Sequence, residues 1–372
     1  MRPLILVLTV CWSIVSTAQE QQINYLNIGD AAPEFNLPGT DGKNYTLEDF
    51  SNNRLLVVIF TCNHCPTAQA YEDKIIKMVS QYRPKGIGFV AISPNDPKAI
   101  SLSELGYSDL GDDLKDMKIR AKDKGYNFPY LYDGETQQVS LAYGPVATPH
   151  VFVFDQDRKL QYSGRIDDTE DPYITPRHRD LALALDQLLS GEKLTTNQTK
   201  TFGCSIKWSW KDSWTIKLKE EWAKDPVTLE EKNLKEIKTL VSNPSNKFRL
   251  INLWATWCGP CLIELPALVE TDRMYRGRDF EFITISTDKP AKKEKALELL
   301  TKMEAANQNY LYSGDDIYEL IEVVDENWKG SLPYTLLVAP GGDYVYAKEG
   351  VIEPFELRMA IVKHLGRYYA DD

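Results

Sequence analysis

Two stretches of this chain share one design: an unbroken aliphatic run, a Cys-x-x-Cys, and a helix-forming segment. Residues 54–71 read RLLVVIFTCNHCPTAQAY and residues 248–266 read FRLINLWATWCGPCLIELP. Each predicts a buried strand, a tight turn and a helix, with two thiols at the junction. Placed there, the first cysteine faces unpaired helix N–H groups and the positive end of the helix dipole, both of which favour a negative sulfur. A partner three residues on can close a disulfide within the first helical turn. A chain that does this twice is expected to build two α/β units.

The rest of the sequence agrees with that scale. A length of 372 residues accommodates two domains with connections. Hydrophobic residues at 43% and charged residues at 26% belong to a globular chain. The net charge of -11, without any basic run, argues against a nucleic-acid or anionic-membrane surface and leaves protein or small-molecule thiol partners. At the N-terminus, Arg2 precedes an apolar run over 4–15, and Ser16-Thr17-Ala18 supplies small residues for cleavage. This predicts a signal peptide over 1–18 and an exported, periplasmic or otherwise extracytoplasmic protein without a transmembrane segment in the mature chain. The run falls short of the roughly 18 apolar residues of a membrane span. Cys11 lies within it, after Val10, and is not expected to be lipidated.

Of the remaining cysteines, four form the two pairs and Cys204 stands alone. Zinc ribbons also use paired CxxC motifs, but with roughly 15–20 residues between them. Cys65 and Cys258 lie far beyond that spacing, so no metal and no cofactor is expected. Lone Cys204 reads more readily as a small buried hydrophobe than as a resolving thiol or a relay between domains.

In the first half, a turn at Thr40-Asp41-Gly42-Lys43 predicts a hairpin. Strands are expected at 54–60, 87–93, 150–155 and 160–164, with helices from the CNHC motif to about Tyr82, over 114–124 and over 181–189. Residues 190–225 are irregular, with Trp208, Trp210, Trp214 and Trp222, and are too apolar for a free linker. A similar order then recurs. Thr228-x-x-Glu231 reads as a capping box opening a helix. Strands are expected at 249–254, 280–286, 334–338 and 344–348, and helices over 260–275, 291–306 and 354–365.

The sequence GDAAPEFNLPGTDGKNYTLEDF, followed by a strand, CNHCP and a Thr-Pro before the next strand, resembles the redoxin branch of the thioredoxin superfamily, over about 27–189. That branch includes the peroxiredoxins and the TlpA/ResA-type proteins. Residues 228–365 are similar to the same superfamily, and LWATWCGPCLIELP is close to TlpA/ResA-type thiol reductases, although a helix stands where their APxF hairpin would be. The resemblance implies an α/β fold of two tandem thioredoxin-like domains, each a central mixed β-sheet with helices on both faces. We divide the chain as 1–18 signal peptide, 24–190 redoxin-like domain, 191–225 aromatic-rich packed connector and 226–372 TlpA-like domain.

The resemblance also implies roles. Cys258 would attack a substrate disulfide and Cys261 would resolve the mixed disulfide. Pro333 would be a cis-proline facing the sulfurs, with Leu332 offering backbone hydrogen bonds to substrate, and Pro149 and Thr148 would match them in the first half. Trp257 would contact substrate. Asn252 replaces the buried Asp of thioredoxin itself, and Glu264 fits the CxxCxxExP pattern as the proton-transfer group. In CNHC, His64 is expected to lower the pKa of Cys62 and make that disulfide the more oxidising one, as in DsbA-like CPHC. Ala68 stands where Glu264 has its counterpart.

The activity implied is thiol-disulfide exchange, enzymatic and driven by both CxxC pairs. Its partners would be disulfide-containing proteins or an upstream thiol reductant, with electron transfer between the domains. Two alternatives remain. Cys65-Pro66-Thr67 echoes the peroxiredoxin T-x-x-C-P, with Cys62 in place of the threonine, which would make a peroxidase centred on Cys65. Cys62, Cys65 and His150 could instead form a Cu(I)-binding module.

Overall fold

The computed structural model describes residues 22–368; the signal peptide expected over 1–18 lies outside the described residues. Among the described residues, no helix is long and apolar enough to cross a membrane.

The first half begins with a hairpin, β1 (Asn36–Pro38) and β2 (Asn44–Thr46), closed by the expected turn. Next come β3 (Leu55–Phe60), α1 (Pro66–Tyr82), β4 (Ile87–Ser93), α2 (Leu114–Lys124), β5 (Tyr130–Tyr132), α3 (Gln138–Tyr143), β6 (His150–Phe154), β7 (Leu160–Gly164) and α4 (Asp180–Ser190). The sheet order is β5-β4-β3-β6-β7. β3, β4 and β5 pair in parallel, whereas β6 and β7 join antiparallel. β3 is central and buried on both faces, which is why it reads as a continuous aliphatic run and not an alternating one. Leu55, Val57 and Ile59 face Ile75 and Val79 of α1 and Leu181 of α4. Leu56, Val58 and Phe60 face Phe35, Phe50 and Tyr143. Phe60 is wholly buried, worth about 1.5–3 kcal/mol.

A helix forms inside the connector, α5 (Asp212–Trp222), where irregular chain is expected. The connector packs on the first sheet. Gln198 bridges Ser163, Cys204 bridges Thr148 antiparallel, and the Lys207 N–H donates to Asn95 Oδ1 at 2.9 Å. Trp208 and Trp210 stack on each other with ring centroids 5.1 Å apart.

The second half contains β8 (Glu230–Lys232), α6 (Leu234–Val241), β9 (Phe248–Trp254), α7 (Gly259–Tyr275), β10 (Phe280–Ser286), α8 (Lys293–Lys302), β11 (Gln308–Tyr312), α9 (Ile317–Val324), β12 (Tyr334–Val338), β13 (Tyr344–Glu349) and α10 (Pro354–Leu365). Its sheet runs β13-β12-β9-β10-β11-β8, again with the strand before the CxxC at its centre. Helices α7, α8 and α10 cover one face, and α6 and α9 the other. The capping box is not Thr228/Glu231 but Asn233/Glu236. Parallel pairing with β11 draws residues 230–232 into the sheet edge, so the helix starts later.

The two halves are joined by polar contacts. Tyr275 Oη donates to the Ser108 carbonyl at 2.7 Å, and Arg278 Nη1 to the Gly106 carbonyl at 3.0 Å. Arg367 grips both oxygens of buried Asp109, at 2.8 and 2.5 Å, and Arg120 reaches the same carboxylate at 2.7 Å.

Candidate active sites: two dithiols on one scaffold

In the first half, β3 delivers the chain to Cys62, and α1 begins at Pro66 with Cys65 as its N-cap. Proline fits the first helical position because its missing N–H would be unpaired there anyway. Cys65 Sγ accepts the Ala68 N–H at 3.5 Å and the Cys204 N–H at 3.4 Å, and as a thiol it donates to the Thr148 carbonyl at 3.3 Å. Cys62 Sγ lies 3.2 Å from Thr148 Oγ1. The Thr148-Pro149 peptide bond is cis, as is Leu332-Pro333. Cys62 and Cys65 are both thiols. The motif is closed to solvent, with Cys62, Asn63, His64 and Cys65 no more than 3% exposed.

The electrostatics of this site centre on Asp112, a wholly buried carboxylate. It accepts the Asn63 N–H at 2.9 Å, the His64 N–H at 3.0 Å, Asn95 Nδ2 at 2.7 Å and His64 Nδ1 at 2.7 Å. Burial alone would drive the proton off His64, but the charge and hydrogen bond of Asp112 hold its pKa above the ordinary value. Asp112 is correspondingly held below the carboxylate range despite its burial, by the His64 charge and these donors.

The expectation that His64 lowers the pKa of Cys62 is not met. Burial, the hydrogen bond it gives to Cys65 and the nearby Asp112 charge push the Cys62 thiol well above its usual value. Cys65 is instead the thiol of this pair that its surroundings favour for ionisation. Burial opposes its ionisation, yet side-chain hydrogen bonds from Cys204 and Cys62, the His64 charge and the Ala68 N–H bring it well below the usual thiol range. The helix N-terminus meets the second sulfur of this motif, not the first.

In the second half, Cys258 and Cys261 form a disulfide. Cys258 caps α7 and its sulfur accepts the Cys261 N–H at 3.3 Å. The approach to it is pinned by Asp288, which accepts the Thr256 N–H at 2.7 Å and the Thr256 hydroxyl at 2.8 Å. Glu264, one turn beyond Cys261, is buried beneath the motif and accepts Asn252 Nδ2 and the Ile352 N–H, each at 2.9 Å. Burial raises its pKa above the ordinary carboxyl value, against the pull of those two donors. A carboxyl so placed keeps its proton to higher pH than an exposed one and can exchange it with a neighbouring thiol. Trp257 and Ile263 form an open apolar rim, 71% and 76% exposed. Cys258 and Cys261 are themselves 5% and 0% exposed, so this site differs from the first in the open rim around its sulfurs.

Metal binding has weak support in this geometry. Ligand atoms of Cys62, His64 and Asp112 lie within 4.8 Å of one another, but Asp112 already accepts four donors and takes up His64 Nδ1, which suits a buried ion pair. His150, the imidazole of the copper alternative, is engaged at both ring nitrogens, by the Val146 N–H at 3.3 Å and Ser163 Oγ at 3.0 Å. Burial lowers its pKa to about 4.

Strand, dithiol and helix N-terminus facing a cis X-Pro, built twice on a mixed sheet, define redoxin domains of the thioredoxin superfamily. The chain belongs to the AhpC/TSA family, which matches residues 28–163 and again 223–347. Peroxiredoxin Bcp of Escherichia coli is 25% identical over 167 residues, covering 43% of this chain and 96% of that protein. An uncharacterized conserved protein from Geobacillus kaustophilus is 38% identical, covering 51% of this chain and 96% of that one, with a TM-score of 0.45. A thiol:disulfide interchange protein of Chlorobium tepidum is 17% identical, covering 43% of this chain and 97% of that one, with a TM-score of 0.32.

Sequence reasoning singled out the four paired cysteines, both prolines, Thr148, Leu332, Trp257, His64 and Glu264, but missed Asp112 and the seat of Cys204. Nothing near Asp112 in the sequence marks it, since its partner His64 lies 48 positions away. Asn252 was legible as a residue that cannot titrate; its use as a donor to Glu264 was not.

Proposed function

We propose that the protein is an exported thiol-disulfide oxidoreductase that uses both dithiols for exchange with protein or small-molecule thiols. The observation that carries this reading is the pairing of each CxxC with a helix N-terminus and a cis X-Pro in the same frame. At the open site, Cys258 attacks a substrate disulfide, Cys261 resolves the mixed disulfide, and Glu264 exchanges the Cys261 proton. Trp257 and Leu332 are its substrate contacts. At the enclosed site, the His64 charge stabilises the reduced form, which makes Cys62/Cys65 the more oxidising pair. Electrons then run from Cys258/Cys261 to Cys62/Cys65.

Equilibration of each pair against thiol buffers tests the direction; a CGPC site no more reducing than CNHC removes it. Trapping tests the substrate class, because a Cys261→Ser variant should retain client proteins as mixed disulfides on Cys258. Absence of such adducts counts against protein substrates.

A peroxidase reading is favoured by one observation, the seat of Cys65 Sγ between the Ala68 and Cys204 N–H donors, with its pKa drawn below the usual thiol range. It is also the activity named for the Escherichia coli relative. Peroxide consumption that survives Cys62→Ser and disappears in Cys65→Ser would establish it.

A further inference from the structure

Cys204 does not lie in a core of its own. It packs against Cys62, Cys65 and Ala68, in a cluster that gathers three sulfurs from two distant parts of the chain. The backbone at Cys204 is docked by an isolated antiparallel bridge beside the cis-proline. The Thr148 N–H donates to the Cys204 carbonyl at 3.0 Å, and the Cys204 N–H points at Cys65 Sγ at 3.4 Å. Gly203 makes this approach possible. It sits at φ 123°, and a Cβ there would fall 2.1 Å from the Thr148 carbonyl oxygen. Cys204 is half-buried, whereas Cys62 is 3% exposed and Cys65 is 0% exposed. Of these three cysteines, the most exposed residue is the one in the connector.

We propose that residues 203–204 occupy, within the same chain, the place of a substrate strand at the first site, and that Cys204 is a third redox thiol exchanging disulfides with Cys65. The inference rests on the reading of Cys62 and Cys65 as a redox pair. From the Cys62-Cys65 disulfide, the Cys204 thiol attacks Cys65 Sγ. The Cys65-Cys204 bond forms as the Cys62-Cys65 bond breaks, and Cys62 leaves as a thiolate that takes the proton from Cys204. No net oxidation occurs in this step. An external dithiol then attacks the sulfur of Cys204. Cys65 leaves as a thiolate, and the second thiol of the reductant closes its own disulfide and releases Cys204. Two electrons enter, and the two protons of the dithiol end on Cys65 and Cys204. The connector is thereby the port through which a dithiol reaches an enclosed pair.

The test is disulfide mapping on the full chain. Wild type, Cys62→Ser, Cys204→Ser and a Gly203→Ala/Cys62→Ser double variant are oxidised with glutathione disulfide, blocked with N-ethylmaleimide and digested without reductant. In Cys62→Ser, Cys65 and Cys204 should both lose maleimide labelling and appear as one cross-linked peptide pair, and the added Gly203→Ala should largely abolish that pair. The proposal is overturned if, in Cys62→Ser with its far-ultraviolet circular dichroism and Cys258-Cys261 bond intact, Cys65 and Cys204 stay labelled or appear only as separate glutathione adducts. Should Cys62→Ser fail to fold, Cys204→Ser decides: dithiol reduction of its Cys62-Cys65 disulfide should be slower than in wild type, and an unchanged rate overturns the proposal. Absence of a Cys62-Cys65 disulfide in wild type under every redox buffer would instead sink the redox-pair reading, and the Cys62→Ser map still reports on Cys204.

Discussion

Replacing Asp112 by Asn removes a charge while keeping a side chain of nearly the same shape. In the native protein this carboxylate takes two backbone N–H groups, one amide and the His64 ring. Without its charge, burial leaves His64 neutral, and ionisation of Cys65 loses the positive charge that favours it. A charge-assisted interaction of this kind is worth about 1.5–3 kcal/mol. For a two-electron couple about 1.4 kcal/mol corresponds to 30 mV, so the Cys62/Cys65 potential should fall by roughly 30–60 mV, toward a more reducing pair. Equilibration against glutathione buffers at pH 7, read by alkylation and mass, measures it. His64→Gln should give a similar shift, and the double variant little more, because both changes remove one interaction. Stability should change with a defined pH signature. The depressed pKa of Asp112 stabilises the fold above its unfolded value near about 3.9, and this is lost as pH falls through the folded pKa. The raised pKa of His64 stabilises the fold below about 6.5, and this is lost as pH rises through its folded pKa. The gap between wild type and Asp112→Asn in urea unfolding should therefore be widest between about pH 4 and 6.5. An unchanged or more positive potential, or additive shifts in the double variant, would refute the reasoning.

Glu264→Gln should slow reduction of a model disulfide by Cys258/Cys261 by about a hundredfold, with loss of an acidic limb in the pH-rate profile that lies above ordinary carboxyl values because burial raises Glu264. Trp257→Ala should leave thermal stability within about 0.5 kcal/mol, as expected for an exposed side chain, while raising KM for a protein disulfide. Asp109→Ala leaves Arg120, itself 2% exposed, to its longer 3.5 Å pairing with Glu72 and removes the grip of Arg367. A loss of about 3–5 kcal/mol in chemical denaturation is expected near neutral pH. The difference should shrink as pH falls through the depressed pKa of Asp109, since wild type then loses the same charge.

The central strands β3 and β9, the helices that follow their dithiols and the two cis-prolines were legible because each rests on a local pattern: an aliphatic run, a proline at a helix start, a Thr-Pro or Leu-Pro before a strand. Short edge elements were not. β5 and β8 carry three residues each and are strands because a neighbour pairs with them. The same tertiary pull moved the capping box from Thr228 to Asn233. Motif spacing also sent the wrong sulfur forward in the first site. A CxxC places a charged residue near both thiols, but which thiol ionises depends on N–H groups and thiols arriving from Cys204, 139 positions beyond Cys65.

The clamp of Arg367 on Asp109 sets an order of events while the chain is being made. All five strands of the first sheet and the helices between them have emerged once Gly164 is out. Asp109 lies on the loop that also carries Asp112, and its last partner is 258 positions downstream. Counted from Gly164, at about 5–20 residues per second the loop waits roughly 10–40 s for Arg367, with Arg120 as the nearer partner of Asp109. During that interval the first dithiol has its scaffold, but the loop that brings Asp112 to His64 lacks its final fastening.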